Sequence, residues 1–280
     1  MEKKQKYLIF GLLIILAFIL YGNTIQNDYS LDDDYVTFSN PTIQKWIDAI
    51  PEIFTTLYAN VYGQGGEIKF GYRPVVQTTF AVEYELFGLN PHVSHLINIL
   101  LYALTCILLF LLLKRLFNTS HILFPLLITV LFMSHPVHTE VVCSLKNRDE
   151  LLSFMFNIIT LIFLVKFADR RKILYVVAAL LSFLLAYLSK LTALSFIAII
   201  PLVLYFFTDI KFRHILYILL GVIIIFLLAR IIPKLYLPEP TRIKLFVENP
   251  LIFENNKWIR TATGFYILLL YLKLLIFPDP

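Results

Sequence analysis

The stretch HVSHLINILLYALTCILLFLLL, residues 92–113, decides the fold of this chain because it contains no Asp, Glu, Lys or Arg. An apolar run of about 20 residues is long enough to cross the hydrocarbon core of a bilayer as a helix. The chain of 280 residues is 59% hydrophobic and 15% charged, whereas soluble domains average about a quarter charged residues. The sequence therefore predicts an all-α integral membrane protein, a polytopic helical bundle.

Seven further apolar windows suggest that the chain crosses the membrane about eight times. They are residues 7–21, 122–133, 151–167, 173–188, 191–207, 215–232 and 265–277. The first window resembles a signal peptide, but no small-x-small cleavage site follows it. We therefore predict an uncleaved first span.

Basic residues collect at one set of span ends and predict the orientation. With the N-terminus in the cytoplasm, eleven lysines and arginines lie close to the cytoplasmic helix ends, which carry only three acidic residues, as the positive-inside rule requires. The long loops 23–73, 135–150 and 233–263 then emerge on the outer face, where most carboxylates lie. We expect one membrane-embedded domain, residues 1–280, with residues 23–73 as its first extracytoplasmic loop and with its chemistry on the outer side.

Helical spacing recurs outside the apolar windows. Residues 43–58 read as a loop helix that either packs on the bundle or lies in the membrane interface, although Pro51 would break or kink it. Residues 74–87 read as a second loop helix, ended by Gly88. Within the spans, polar residues share one face at His95, Asn98, Tyr102 and Thr105, and again at Ser153, Asn157 and Thr160. These faces should point into the bundle, and His95, near the outer end, is a candidate pocket residue.

Three consecutive carboxylates, Asp32, Asp33 and Asp34, follow the first span. Their polar surroundings keep them at the membrane surface, and their mutual repulsion favours a cation nearby. Such a cluster acts as a general base, binds a cation or is simply solvated.

A second outer group is His135-Pro-Val-His138-Thr-Glu140. Two histidines and a glutamate are zinc ligands in other proteins, but this spacing is not the i, i+4 pair of a helical zinc site, and a fourth ligand is not evident. We predict no metal site and no cofactor, and keep a divalent cation as an open alternative. His135, His138 and Glu140 stay as pocket candidates.

Three basic residues are candidates for binding phosphate on the outer face: Arg73, Arg148 and Lys190. Arginine offers a planar fork to phosphate oxygens, although a charged helix cap also explains Arg148. Lys190 either neutralises a leaving group or snorkels. Acids at one place and cations at others suit transfer from a polyprenyl-phosphate donor, in which a carboxylate deprotonates a hydroxyl acceptor and cations stabilise the departing phosphate.

An ordered series of short motifs runs through the chain. It comprises DDDY (32–35), NP (40–41), YRP (72–74), FGLNP (87–91), HLIN (95–98), HPVHTE (135–140), NRDEL (147–151), SK (189–190), ENP (248–250), YLK (271–273) and FP (277–278). This series resembles the membrane region of the transmembrane and tetratricopeptide-repeat O-mannosyltransferases, which are C-type glycosyltransferases related to protein O-mannosyltransferases.

The resemblance implies a C-type fold and inverting transfer of mannose or a similar hexose from a lipid-phosphate donor. Protein Ser/Thr hydroxyls or a glycan would accept the sugar; membrane lipid is a further partner, and nucleic acid is not. Asp32 and Asp33 match the family's acidic pair, with Asp34 leaving the register open, and Arg148 matches a family arginine. Further spans and repeats are expected beyond residue 280.

Three other function classes remain open. A transporter or flippase for lipid-linked sugars would need charged residues near the bilayer midplane and an inverted repeat, neither of which the sequence contains. A non-catalytic membrane scaffold would use the outer loops to bind partners. A metal-dependent hydrolase would use His135, His138 and Glu140.

Overall fold

The structure, a computed structural model, describes residues 3–38, 40, 42–63, 66–117, 121–239, 251 and 253–278. The α-helices are α1 (Lys3–Tyr21), α2 (Ile50–Ile53), α3 (Pro74–Phe87), α4 (Pro91–Leu116), α5 (Leu123–Ser134), α6 (Thr139–Cys143), α7 (Arg148–Arg170), α8 (Ile173–Ser189), α9 (Phe196–Phe207), α10 (Phe212–Lys234) and α11 (Lys257–Ile276). Short 3₁₀ turns cover Gly22–Gln26, Leu31–Val36, Ile43–Ala49, Pro136–His138 and Leu191–Ser195. The strands β1 (Ala59–Gly63) and β2 (Gly66–Phe70) form one antiparallel hairpin.

The prediction of a polytopic helical membrane bundle is confirmed. Five helices of the described residues are long and apolar enough to cross a membrane: α1 with its 3₁₀ extension, α4, α7, α10 and α11. A sixth candidate is the pair α5 and α6, which bends by 56°. Every predicted window is helical, but α8 and the segment Leu191–Phe207 are shorter than a full span. The predicted count of about eight is therefore higher than the five or six helices that meet the length criterion.

Helix α4 shows how the sequence defines its ends. The side chain of Asn90 accepts hydrogen bonds from the backbone N–H groups of His92 (3.0 Å) and Val93 (3.4 Å), and Pro91 occupies the first turn. Both features are typical of helix starts. The Asn90 side chain accepts hydrogen bonds from N–H groups that have no partner inside the helix, and Pro91 has no N–H that would need one. Lys114 and Arg115 lie in the last turn, where positive charge interacts favourably with the negative end of the helix dipole.

The bundle has two apolar cores inside the membrane region. The larger joins α4, α7, α8, α9 and α10 through residues such as Leu161, Leu164, Phe183, Ile200 and Val222, each at most 3% exposed. The second packs α1 against α4 and α5 through Leu13, Ala17, Ala103, Phe110 and Met133. The predicted polar faces of α4 and α7 point into this interior, because His95, Asn98, Tyr102, Thr105, Ser153, Asn157 and Thr160 are all buried.

A third core fastens the first outer loop to the bundle. It contains Val36, Ile43 and Tyr58 from the loop, Val76, Phe80 and Tyr84 from α3, and Leu145 and Leu152 around the start of α7. The Tyr84 hydroxyl donates to the carbonyl of Val36 at 2.8 Å. Helix α3 has the predicted bounds, and the loop residues that follow the acid cluster are held against its apolar face.

The loop helix predicted over residues 43–58 is interrupted, as Pro51 led us to expect, and it ends at Ile53. A 3₁₀ turn ends at Ala49, and the single-turn helix α2 begins beside Pro51, whose ring and missing N–H disfavour the interior of a longer helix. Trp46 also adopts a positive φ of 57°, which interrupts the turn. The hairpin after it was not predicted, although the glycines Gly63 and Gly66 flank its turn.

Gly88 joins α3 to α4 with φ of 70° and ψ of −175°, a conformation open to glycine and strained for other residues. We expect Gly88→Ala to lower the free energy of unfolding by about 1–3 kcal/mol through backbone strain alone, because a Cβ there meets no atom within 4 Å. The matched control is Gly11→Ala inside α1, where a Cβ also meets open space but φ is helical. Thermal unfolding in detergent should show a lower midpoint for Gly88→Ala only; equal midpoints would contradict the prediction.

Candidate functional site

Asp33 is the buried member of the acid cluster, with 1% of its surface exposed. Its Oδ1 accepts from the backbone N–H of Lys146 at 2.9 Å, and its Oδ2 accepts from the backbone N–H of Ser30 at 3.0 Å. Its carbonyl accepts from the Thr37 hydroxyl at 2.8 Å. Oδ1 therefore fixes the first loop to the loop that precedes α7, whereas Oδ2 holds the local turn from Ser30 to Asp33.

Asp32 lies beside Asp33 but faces solvent, with 56% of its side chain exposed. Lys146 Nζ approaches Asp32 Oδ2 at 2.9 Å, which supplies the cation that a carboxylate cluster favours. The side chain of Asp34 lies outside the described residues. Of the described pair, only Asp32 presents its carboxylate to an incoming molecule.

Asp149 forms ion pairs with two of the predicted phosphate-binding cations. Its buried carboxylate receives Arg73 on Oδ2 and Lys190 on Oδ1, the latter at 2.9 Å. Lys190 also contacts Glu150 Oε1 at 2.9 Å, and the Thr192 hydroxyl donates to Glu150 at 2.6 Å. Arg73 and Lys190 keep 21% and 18% of their side chains exposed, and each retains N–H donors that these contacts do not use.

Tyr58 forms the floor beneath Arg73. The guanidinium lies 4.6 Å from the centre of the Tyr58 ring, and the Gln77 amide donates to the Tyr58 carbonyl at 3.1 Å. Burial raises the pKa of the Tyr58 phenol, and the negative charge of Asp149 raises it further. The hydroxyl therefore stays protonated and adds no charge to this group.

Arg148 is fully buried and differs in this respect from the other two predicted cations. Its guanidinium pairs with Glu83 at 2.6 Å, donates to Asn98 Oδ1 at 2.7 Å and to the Ser94 carbonyl at 3.1 Å. It also lies 3.8 Å from the centre of the Phe80 ring. This arrangement binds α3, α4 and α7 together and leaves no face of Arg148 open to a phosphate.

The remaining pocket candidates have separate partners, although the rings of His135 and His138 lie 6.3 Å apart. His95 is buried in α4, directly after Ser94. His135 Nδ1 accepts from the backbone N–H of Val137 at 3.2 Å, and its Nε2 lies 3.1 Å from the carbonyl of Leu275. His138 packs on the Phe132 ring with centroids 4.2 Å apart.

Glu140 accepts from the Asn147 amide at 3.2 Å. Within the described part of the chain no three His, Cys, Asp or Glu side chains are grouped as metal ligands. The metal-dependent hydrolase alternative thus finds no support among these residues.

An apolar groove of about 550 Å³ opens beside the Asp149 cluster. Its walls include Leu57, Tyr187, Leu191, Leu194, Phe226 and Leu237. Tyr72, which immediately precedes Arg73, and Leu191, which immediately follows Lys190, both line it. The Tyr72 hydroxyl lies 3.3 Å from the Tyr236 hydroxyl beyond α10. The chain neighbours of these two partly exposed cations therefore lie in a cleft with an apolar lining.

Comparison with known proteins supplies the family. A profile of the dolichyl-phosphate-mannose-protein mannosyltransferases matches residues 73–236, more than half of the chain. The chain belongs to this family. The match covers α3 through α10 and includes Arg73, Arg148 and Lys190, so these three cations lie within the family's shared region.

Relatives in this family carry the same type of name. The chain is 30% identical over 162 residues to protein O-mannosyl-transferase tmtc2 of Xenopus laevis, which covers 56% of this chain and 18% of the relative. It is 30% identical to protein O-mannosyl-transferase F38B6.6 of Caenorhabditis elegans, in a match that covers 55% of this chain and 22% of the relative. It is also 30% identical to protein O-mannosyl-transferase TMTC1 of Homo sapiens, in a match that covers 48% of this chain and 15% of the relative. The chain thus spans less than a quarter of the length of these relatives. No solved structure matches it significantly.

Two contributors to the site were missed from the sequence. Glu83, the partner of Arg148, shares a helical face with the apolar Val76 and Phe80, and a charge on such a face signals a buried partner. Asp149 was not among the predicted site residues and appeared only within the motif NRDEL. Its position in the first turn of α7 is favourable for an acid, but its bonds to Arg73 and Lys190 depend on tertiary packing.

The burial of Arg148 leads to a stability prediction. We expect Arg148→Met to lower the free energy of unfolding by about 3–5 kcal/mol, because it leaves Glu83 charged, buried and unpaired. Adding Glu83→Gln to Arg148→Met should restore part of the loss, since the double variant removes the uncompensated charge. Thermal unfolding in detergent measures both effects. An Arg148→Met variant as stable as the wild type would mean that this ion pair does not support the fold.

Proposed function

We propose that the protein transfers a sugar, mannose or a similar hexose, from a polyprenyl-phosphate donor to a hydroxyl group of a protein acceptor. Membership of the mannosyltransferase family and the names of the relatives support the reaction class and the protein acceptor. The positive-inside arrangement of basic residues supports an N-terminus in the cytoplasm and an active site on the extracytoplasmic face. The fold of the outer loop supplies the residues for the chemistry.

The observation that carries this proposal is the pairing of Asp32 with Lys146 at 2.9 Å. It places an exposed carboxylate beside the loop that leads into α7. In the first turn of α7, Asp149 pairs with Arg73 and Lys190, and Glu150 pairs with Lys190. A base and a set of phosphate-directed donors that all contact one short stretch of backbone, residues 146–150, suit a single displacement reaction.

In this reaction Asp32 acts as the general base. The proton of the acceptor hydroxyl passes to the Asp32 carboxylate, and the hydroxyl oxygen forms a bond to the anomeric carbon. The bond between that carbon and the phosphate oxygen breaks, and its electron pair leaves on the phosphate. Attack on the face opposite the leaving group inverts the configuration.

Arg73 and Lys190 stabilise the departing phosphate. Both are already fixed by Asp149, so their remaining N–H donors are preorganised and need little rearrangement as charge develops on the phosphate. Asp33 positions the base by holding its loop on the Lys146 backbone. Arg148, buried with Glu83, positions Asp149 at the start of α7 and does not contact the donor.

The two acids should respond differently to the same change. Asp32→Asn should lower turnover by at least about a hundredfold, through loss of the base, and leave the midpoint of thermal unfolding unchanged because the side chain is exposed. Asp33→Asn should lower the unfolding midpoint as well, because an amide N–H₂ would face a backbone N–H. Release of polyprenyl phosphate from polyprenyl-phosphate mannose in the presence of Ser/Thr peptides measures turnover.

Asp48→Asn serves as the matched control, since Asp48 is an exposed acid of the same loop. This variant should keep wild-type turnover and stability. Wild-type turnover by Asp32→Asn would remove the proposed base, and an absence of donor consumption by the unmodified protein would reject the transfer reaction itself.

A further inference from the structure

The cations assigned so far on the outer face are all neutralised by carboxylates. Lys146 pairs with Asp32, Arg148 with Glu83, and Arg73 and Lys190 with Asp149 and Glu150. These groups can orient a phosphate through hydrogen bonds. Because their charges are already balanced, they provide little net attraction for an anion that arrives with a lipid.

Two cations beside the same site lack such partners. Arg230 and Lys234 line the apolar groove, and neither forms an ion pair with a carboxylate of the described residues. Arg230 lies 5.9 Å from the centre of the Phe226 ring. Glu239 is the acidic residue in the described lining, so the two bases outnumber it.

Helix α10 aims both cations at the groove. Phe226, Ala229, Arg230, Pro233 and Lys234 all line it, and their spacings of one, three and four residues place them on one helical face. One turn of this face is apolar, and the next carries the two charges. A lysine or arginine that merely snorkels to the membrane surface has no need to line a cleft.

Two other lining residues adjoin the proposed catalytic cations. Leu191 and Tyr72 line the groove, and they follow Lys190 and precede Arg73 in the chain. A molecule that matches the groove therefore has an apolar body in contact with the walls and an anionic end at Arg230 and Lys234, whose charges are unbalanced. A single phosphate on a long hydrocarbon chain has these properties.

We infer that Arg230 and Lys234 bind the phosphate of a polyprenyl-phosphate lipid whose isoprenoid chain occupies this groove. The inference deepens the proposed function and rests on it for the class of donor. The two α10 cations supply the net positive charge that holds the phosphate, and Arg73 and Lys190 supply the fixed hydrogen-bond donors.

Direct binding tests the inference without requiring sugar transfer. The purified protein is titrated with polyprenyl monophosphate, with the matching polyprenol and with phosphatidylglycerol, and bound lipid is counted by native mass spectrometry. We expect the wild type to prefer polyprenyl monophosphate to both other lipids. The double variant Arg230→Gln with Lys234→Gln should bind polyprenyl monophosphate about tenfold more weakly and bind polyprenol as the wild type does.

Arg213→Gln is the matched control. Arg213 is exposed on the same helix, and 17 residues separate it from Arg230, a distance of about 25 Å along the helix axis. It should bind polyprenyl monophosphate with wild-type affinity. Because all three side chains are exposed, the unfolding midpoints of these variants should match that of the wild type, which keeps a loss of binding distinct from a loss of fold.

The outcomes separate this inference from the proposed function. Wild-type affinity in the double variant, or equal binding of polyprenol and polyprenyl monophosphate, would overturn the inference, as would equal competition by phosphatidylglycerol. If the double variant transfers sugar with an unchanged KM for the donor, the proposed function stands and the inference falls. If binding depends on Arg230 and Lys234 but no sugar is transferred, the inference stands and the proposed function falls.

Discussion

The buried ion pair between Arg148 and Glu83 is the constraint on which the junction of α3, α4 and α7 depends. Arg148 is 0% exposed, and its guanidinium contacts groups from α3 and α4 while it opens α7. Two charges withdrawn from water are tolerated only with close mutual contact and full hydrogen bonding, so the three helices can meet in few other ways. This junction fixes the position of the next residue, Asp149. Asp149 in turn holds Arg73 and Lys190 through ion pairs.

Around this junction lie three chemical zones. A solvent-facing acid lies on the loop after α1, a balanced group of acids and bases lies at the start of α7, and an apolar groove with unbalanced positive charge lies against α10. In the proposed transfer the first zone would serve the acceptor, and the apolar groove would serve the lipid-borne donor.

Much of this architecture follows from local sequence. Length and hydropathy locate each membrane helix, and α3 begins at Pro74 and ends before Gly88 as its turn residues predict. The third core, the hairpin and the pairings of Asp149 join residues far apart in the chain, so no local pattern contains them. The motif NRDEL marked the right segment for the wrong reason: Arg148 was expected to meet phosphate, whereas the fold turns it inward and leaves its acidic neighbour to organise the cations.

The bond between the Asp33 carboxylate and the backbone of Lys146 has a consequence for how this region can vary. The separation between the acid loop and the Asp149 group is spanned by only three peptide units, from Lys146 to Asp149, which reach at most about 11 Å. Residues 37–72 lie outside that path. Insertions or deletions in the hairpin can therefore change the nearby surface while the distance between the acid loop and the Asp149 group stays constant, so the two features are free to evolve separately.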